Sequence, residues 1–321
     1  MKKNKVKDST FLVTGGAGFI GSYVVEELLL LKPKKIFIVD NMVRGSLKNT
    51  KTFINNSRIE LFQDDISNIH LMAKLMSKAD YCFHLAALRI NACAADPQRA
   101  FEVMVRSTFN MVENAKKYRI KKFIYSSSAS VYGLTQHFPT PETDNPYDNK
   151  TMYGAAKLFG EQLLRSYHHM YGLDYIGLRY FNVYGPRMDT EGKYTEVLIK
   201  WLDCILHNIN PAIRGDGLTS MDFVYVTDVA NANILALLTD VSDEVFNIAS
   251  NRETNLKQLL TILLKVNRSI LRPKFEPETT INPVKRRWAD ISKAKKMLGY
   301  KPRISLAKGL KLLSDWYFHK L

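Results

Sequence analysis

Cysteine is scarce in this chain: Cys82, Cys93 and Cys204 form an odd, scattered set without CxxC spacing. That excludes a disulfide framework and fits a reducing cytoplasm. The adjacent pair His168-His169 would be splayed apart by a helix, so no metal site is expected. Long apolar runs are also missing. The most apolar helical stretch, Phe19 to Leu31, is interrupted by Glu26 and Glu27 and falls short of the ~20 apolar residues a bilayer demands. The apolar run at Phe11 is a short strand ending in glycines rather than a signal-peptide core, so a cytoplasmic protein without a membrane partner is expected. Internal repeats, low-complexity tracts and Pro/Ser-rich linkers are absent. Acidic residues are outnumbered, 31 Asp and Glu against 46 Lys and Arg, for a net charge of +15. Lysine exceeds arginine almost two to one and is spread along the whole chain, so no nucleic-acid partner is expected. The charge does allow attraction for anionic, phosphate-bearing substrates.

What is present begins with enough apolar residues, 46% of 321, to bury a large core. Short β-rich runs alternate with helical patterns, the signature of βαβ units and a parallel sheet. Strands are expected at Phe11 to Thr14, Ile36 to Val39, Ile59 to Phe62, Tyr81 to His84, Phe123 to Ser126 and Tyr175 to Arg179. Helices are expected near Ser22 to Leu31, Ile69 to Ser77, Pro97 to Tyr118 and Met152 to Tyr171. The fold class is therefore α/β, a doubly wound parallel sheet. After Asn182 the alternation breaks into a loop, a helix near Thr195 to His207, a strand near Phe246 to Ala249 and a Pro-rich basic stretch, Arg272 to Arg287. The expected division is a dinucleotide-binding domain at 1–181, to which the chain returns around 221–249, and a smaller C-terminal lobe at 182–321 over the carboxyl edge of the sheet, where ligands of such sheets bind.

Three motifs carry chemistry. Thr10-Phe-Leu-Val-Thr14 is followed by Gly15-Gly-Ala-Gly-Phe-Ile-Gly21 and then a helix, so Gly16, Gly18 and Gly21 fit the dinucleotide fingerprint and the helix N-terminus can receive a pyrophosphate. The second strand ends in Asp40, which can accept hydrogen bonds from ribose hydroxyls and would repel a 2′-phosphate; NAD is favoured over NADP, with Arg44 close behind as the counter-signal. Tyr153-Gly-Ala-Ala-Lys157 puts a phenol and an ammonium on one helical face, a proton-transfer pair suited to an oxidoreductase.

Together with these motifs, Asp64-Asp65-Ile66, His84-Leu-Ala-Ala87, Tyr125-Ser-Ser-Ser-Ala-Ser-Val-Tyr-Gly133, Leu178-Arg-Tyr-Phe-Asn-Val-Tyr-Gly-Pro-Arg187 and Arg286-Arg-Trp-Ala-Asp-Ile-Ser-Lys293 occur in order along the chain. It resembles, over nearly its full length, an extended short-chain dehydrogenase/reductase of the NAD-dependent sugar-nucleotide epimerase/dehydratase family, in particular its UDP-glucose 4-epimerase-like members. The resemblance implies a Rossmann sheet with a substrate-binding lobe. It places Gly15, Gly18, Phe19, Ile20 and Gly21 on the cofactor phosphates. Asp40, Asn41, Arg44, Asp65 and Ile66 fall on its adenosine half. Leu85, Ala86, Ala87, Tyr180 and Val183 join Tyr153 and Lys157 around the rest. Arg89, Ser128, Ser130 and Asn182 are assigned to the sugar side, and Arg187, Arg214 and Arg286 to the diphosphate and nucleotide. The family's dimers pair two helices, here near Pro97 to Tyr118 and Met152 to Tyr171, so a homodimer is implied.

Oxidising a secondary alcohol requires the hydroxyl to lose a proton as the hydride leaves. Free tyrosine titrates near 10, so Tyr153 needs ~4 kcal/mol of preferential phenolate stabilisation to work at neutral pH. Lys157 and the oxidised nicotinamide are expected to provide it, with Ser128 holding the reacting oxygen. Two departures from the family stand out. Ala129 and Ser130 occupy positions where 4,6-dehydratases carry acids, which ranks dehydration below redox chemistry at C4. Met104 replaces a usual asparagine, leaving helix-to-sheet bonding near the cofactor in question. His84 is expected to be a satisfied or cofactor-contacting histidine. The resulting expectation is NAD-dependent oxidation at C4 of a nucleotide-activated sugar, as a 4-epimerase. The alternatives are a 4-dehydrogenase or, less favoured, a dehydratase or a catalytically silent NAD-binding regulator.

Overall fold

A computed structural model describes residues 6–144, 148–190, 196–278 and 284–319. Thr195 of the expected helix start, residues 191–194 of the loop before it and residues 279–283 of the basic stretch lie outside the described residues.

The main sheet holds seven strands: β1 (Thr10–Thr14), β2 (Lys35–Val39), β3 (Ile59–Phe62), β4 (Tyr81–His84), β5 (Lys122–Ser128), β6 (Tyr175–Tyr180) and β10 (Glu244–Ile248). Their spatial order is β10-β6-β5-β4-β1-β2-β3, all parallel, with Val13 paired to Ile38 on one side and Phe83 on the other. This is the doubly wound α/β class. The order reverses between β1 and β4, which opens a crevice at their carboxyl ends. Side chains alternate along each strand, so Phe11 and Val13 join one core while Leu12 joins the other.

Helices α1 (Phe19–Leu29) and α9 (Val226–Leu238) cover the first face through Val24, Val25, Leu28 and Val229. On the second face lie α3 (Ile69–Met76), α6 (Ser107–Lys117) and α7 (Met152–Tyr171), through Met72, Met111 and Leu164. The helix expected from Pro97 to Tyr118 is not continuous: α5 (Pro97–Ala100) leads into a π-helical segment, Phe101–Arg106, before α6. One extra residue per turn there re-aims Met104, whose carbonyl accepts from the Thr108 hydroxyl at 2.8 Å while its thioether accepts from the Leu88 N–H at 3.2 Å. The bonding that the missing asparagine left in question is thus taken over by a weak sulfur acceptor.

A third core lies beyond the sheet edge. Trp201 and Leu202 of α8 (Val197–Leu206), Leu259 and Leu263 of α10 (Leu256–Val266) and Leu310 and Leu313 of α12 (Leu306–His319) build it. It also rests on a three-stranded sheet of β7 (Asn182–Tyr184), β9 (Ser220–Tyr225) and β11 (Glu253–Asn255). A two-stranded pair, β8 (Ala212–Arg214) with β12 (Lys274–Glu276), borders it.

Candidate active site

A cleft of about 1030 Å³ runs along the carboxyl ends of the strands. Gly15 closes the turn after β1 with φ at 71°, and a Cβ there would meet the Ala86 amide nitrogen at 2.8 Å. Gly21 lies against the Gly15 carbonyl, 2.0 Å from where its Cβ would stand, so α1 starts directly on the turn. The helix begins at Phe19 rather than Ser22, and Gly18 at its N-cap supplies no side-chain acceptor. Backbone N–H groups of Phe19, Ile20 and Gly21 at a positive dipole end therefore border the cleft without a side-chain cap, which suits a pyrophosphate.

Asp40, at the end of β2, is buried. Its Oδ2 accepts from the Ala17 N–H and its Oδ1 from the Met42 N–H, each at 3.0 Å, which ties the carboxylate to the glycine turn with acceptor capacity left for a ribose hydroxyl. Burial pushes its carboxyl above the usual range and these amides pull it back. The Arg44 Nε turns to Asp189 at 3.6 Å. Asp65 accepts from Asn41 at 2.8 Å and from Arg99 at 2.7 Å, which fixes the segment carrying Ile66. Leu85, Ala86 and Ala87 continue β4 into the same wall, with Tyr180 and Val183 opposite. These residues fit NAD as a bound group.

The Ser128, Tyr153 and Lys157 side chains converge from two elements. Ser128 ends β5 and its Oγ accepts from the Ser130 N–H at 3.1 Å, turning the chain into a 3-10 turn, Ala129–Tyr132. Thr151 caps α7 by accepting from the Gly154 N–H at 3.1 Å, and this fixes where the first turn, with Tyr153, begins. Tyr153 is hydrogen-bonded to Ser128. Lys157 is buried and its Nζ donates to the Ser126 carbonyl at 2.5 Å, 5.8 Å from the Tyr153 ring centroid.

The electrostatics differ from the sequence expectation. Burial raises the Tyr153 phenol, and the Ser128 hydrogen bond with Arg44 and Arg287 offsets this only in part. Lys157 is itself brought down to about 8 by burial and points its ammonium at backbone. The protein alone thus favours a protonated phenol. His84 is a buried structural residue outside the cleft wall, held between the hydroxyls of Thr14 at 2.9 Å and Thr108 at 3.1 Å.

Arg89, Ser130, Asn182, Arg187 and Arg214 all line the cleft. Arg187, in left-handed backbone at φ 70°, reaches Glu26 at 2.5 Å and stacks 4.3 Å over Tyr23. Arg286 is the correction: it lies outside the cleft wall, paired with Glu253 at 2.7 Å and stacked 4.3 Å from the Phe138 ring centroid. Backbone bonds to both sides of Ser220, from its N–H to the Lys285 carbonyl and from the Arg287 N–H to its carbonyl, make this stretch extended. Its side chains alternate, and it is Arg287 that faces the cleft. The doublet Arg286-Arg287 was visible in sequence; which member turns inward was not.

A Rossmann sheet with an open glycine turn and a Ser-Tyr-Lys trio on its carboxyl edge defines a dinucleotide-dependent oxidoreductase. Residues 11–249 match the model of the NAD dependent epimerase/dehydratase family, and the chain belongs to that family. NAD is its cofactor. A putative UDP-glucose 4-epimerase of Methanocaldococcus jannaschii is 35% identical over 308 residues, 95% of this chain and 97% of that protein. Among solved structures, a UDP-N-acetylglucosamine 4-epimerase from Methanobrevibacter ruminantium, in complex with UDP-N-acetylmuramic acid, has a TM-score of 0.91 at 34% identity, covering 98% of this chain and 100% of its own. A UDP-glucose 4-epimerase from Thermotoga maritima with UDP-glucose has a TM-score of 0.90 at 35% identity, covering 97% and 99%.

Proposed function

We infer that the chain oxidises C4 of a nucleotide-activated sugar and restores the alcohol with the opposite configuration, as an NDP-sugar 4-epimerase. The observation that carries this is Tyr153 bonded to Ser128 beside Lys157, with neutral Ala129 and Ser130 following the serine. Tyr153 takes the proton from the C4 hydroxyl while Ser128 holds the same oxygen in line. NAD held by the cleft would supply the hydride acceptor and, in its oxidised form, a positive charge near the phenol. Lys157 anchors the helix face to β5 through the Ser126 carbonyl and keeps its charge near the phenol. Among the described residues the acids lining the cleft are Asp40, Asp64 and Asp65 at the adenosine end, the arginine-bound Asp189, and Glu196. A dehydratase's acid/base pair is therefore missing beside Ser128 among the described residues. A 4-dehydrogenase that releases the ketone uses the same trio.

The relatives' substrates point to UDP as the nucleotide. Exposed Phe101 and Phe109 before and on α6, and Met170 and Tyr171 at the end of α7, support a homodimer through these helices. No described helix is long and apolar enough to cross a membrane, which agrees with a cytoplasmic location. The third core, whose buried residues all come after residue 181, supports a division of the chain there. The test is incubation with a panel of UDP-sugars, with products followed by NMR and mass. Unchanged mass with inverted C4 is expected; loss of two mass units means dehydrogenase, and loss of water overturns the reading. Tyr153→Phe should lower kcat by about 100-fold or more while NAD binding persists.

A further inference from the structure

Six arginines line the cleft: Arg44, Arg89, Arg99, Arg187, Arg214 and Arg287. Five face a carboxylate. Arg44 and Arg89 share Asp189 at 3.6 Å, Arg99 meets Asp65 at 2.7 Å, Arg187 meets Glu26 at 2.5 Å and Arg214 meets Glu276 at 3.7 Å. Arg287 has no such partner among the described residues. Its Nη1 donates to the Ala129 carbonyl, and the remaining prongs of the guanidinium are open to a ligand. Burial brings its pKa down to about 10, and no carboxylate among the described residues stands beside it. Such an arrangement is costly unless a bound group supplies the anion.

The position says which anion. Arg287 is tied to the residue directly after Ser128, and its charge acts on the Tyr153 phenol. It therefore stands beside the carbon being oxidised. The diphosphate is attached at C1, across the pyranose ring from C4, so an anion next to Tyr153 sits on a ring carbon adjoining C4. A planar guanidinium matches a carboxylate with two parallel hydrogen bonds. We propose that the substrate sugar is a hexuronic acid, whose C6 carboxylate is held by Arg287. This rests on the C4 reading of the Ser128, Tyr153 and Lys157 trio.

The full-length protein with NAD is assayed on UDP-glucuronate, UDP-galacturonate, UDP-glucose and UDP-N-acetylglucosamine, as wild type, Arg287→Met and Arg287→Lys, with UDP affinity measured by calorimetry. Hexuronates are expected to be favoured, and Arg287→Met to lose about 10- to 100-fold in kcat/KM on them, the worth of a charged hydrogen-bonded contact. Arg287→Lys keeps the charge without the fork and should fall in between; it also carries the measurement if the methionine variant fails to bind NAD. UDP affinity should move far less than hexuronate turnover. Loss of carbon dioxide from the 4-keto hexuronate, with the C5–C6 electron pair passing into the C4 carbonyl, would still support carboxylate recognition while overturning the epimerase outcome. Inverted C4 on the neutral sugars with hexuronates rejected would overturn the proposal and leave the C4 reading standing. Equal weakening of UDP and hexuronates in Arg287→Met would assign the arginine to the diphosphate instead. Failure of all four sugars to reduce NAD or change would sink both.

Discussion

Gly160 tests how the sheet positions the helix that carries Tyr153 and Lys157. It lies on α7 one turn beyond Lys157 and two beyond Tyr153, on the side packed against β5. A Cβ at this position would stand 2.3 Å from the Tyr125 Oη and 2.4 Å from its Cζ. That is ~1 Å inside van der Waals contact. Tyr125 cannot swing aside: it is 1% exposed, and it lies between His84, stacked at 6.0 Å, and the Lys157 ammonium, 5.2 Å from its ring centroid. In Gly160→Ala the helix must therefore lift. Overpacking of this kind costs about 1–3 kcal/mol, while the alanine returns about 1 kcal/mol of helix propensity. The net loss is about 0–2 kcal/mol, or at most about 4 °C in Tm. A displacement of ~1 Å in Tyr153 and Lys157 should cost roughly 100-fold in the hydride-transfer rate. Single-turnover NAD reduction and a thermal melt read the two effects. Gly172→Ala is the control, because its left-handed φ of 72° costs about 1–2 kcal/mol with no atom nearby to be displaced. Tyr125→Phe in the Gly160→Ala background should restore part of the rate, since it removes the closest atom but leaves Cζ. The reasoning fails if Gly160→Ala keeps the wild-type rate, or if Gly172→Ala loses rate to the same degree.

Two other perturbations probe buried charge. The Glu161 carboxylate takes Arg179 through Nε at 2.9 Å and Nη2 at 2.7 Å and also accepts from the Ser127 hydroxyl, all of it buried. Glu161→Gln leaves the guanidinium without a full counter-charge and should cost about 3–5 kcal/mol in urea unfolding; a loss below about 1 kcal/mol would contradict it. For His84, burial first and Lys157 second lower the pKa from 6.5 to about 3. The unfolded chain then binds the extra proton, so this group's stability contribution is complete above about 6.5 and is lost as pH falls towards 3, at about 1.4 kcal/mol per pH unit. Asp222, raised to about 6 by burial, acts with the opposite sign between about 4 and 6 because the folded state holds its proton. The difference between wild type and His84→Gln isolates the histidine, and parallel pH curves for the two would refute its neutral burial.

Much of the fold was legible because its signals are local. The strands from Phe11 to Arg179 and the helix Met152–Tyr171 follow from apolar runs and period, and the observed bounds differ mainly at the ends. The misses have physical causes. Helix α1 starts at Phe19 because a residue after a glycine turn needs no polar cap when a ligand can serve its amides. The π segment at Phe101–Arg106 leaves no mark in a 3.6-residue period too short to show one inserted residue. Strands β7, β8, β9, β11 and β12 are three to six residues long and pair across the chain, so their stability resides in partners rather than in their own composition.

The same boundary divides the site. The glycine turn, Asp40 and the Tyr153–Lys157 pair were legible in the sequence alone, because each depends on spacing within one strand-turn-helix unit or one helical face, whereas Ser128 was reached through the family resemblance. What only the tertiary structure decided is what those groups meet. Burial beneath the sheet edge raises the phenol and lowers the lysine, pairing with Ser220 turns Arg287 inward and Arg286 outward, and carboxylates from other elements neutralise five of the six arginines that line the cleft. Desolvation and counter-charge are sums over neighbours brought together from the whole chain, and no local pattern of residues carries that sum.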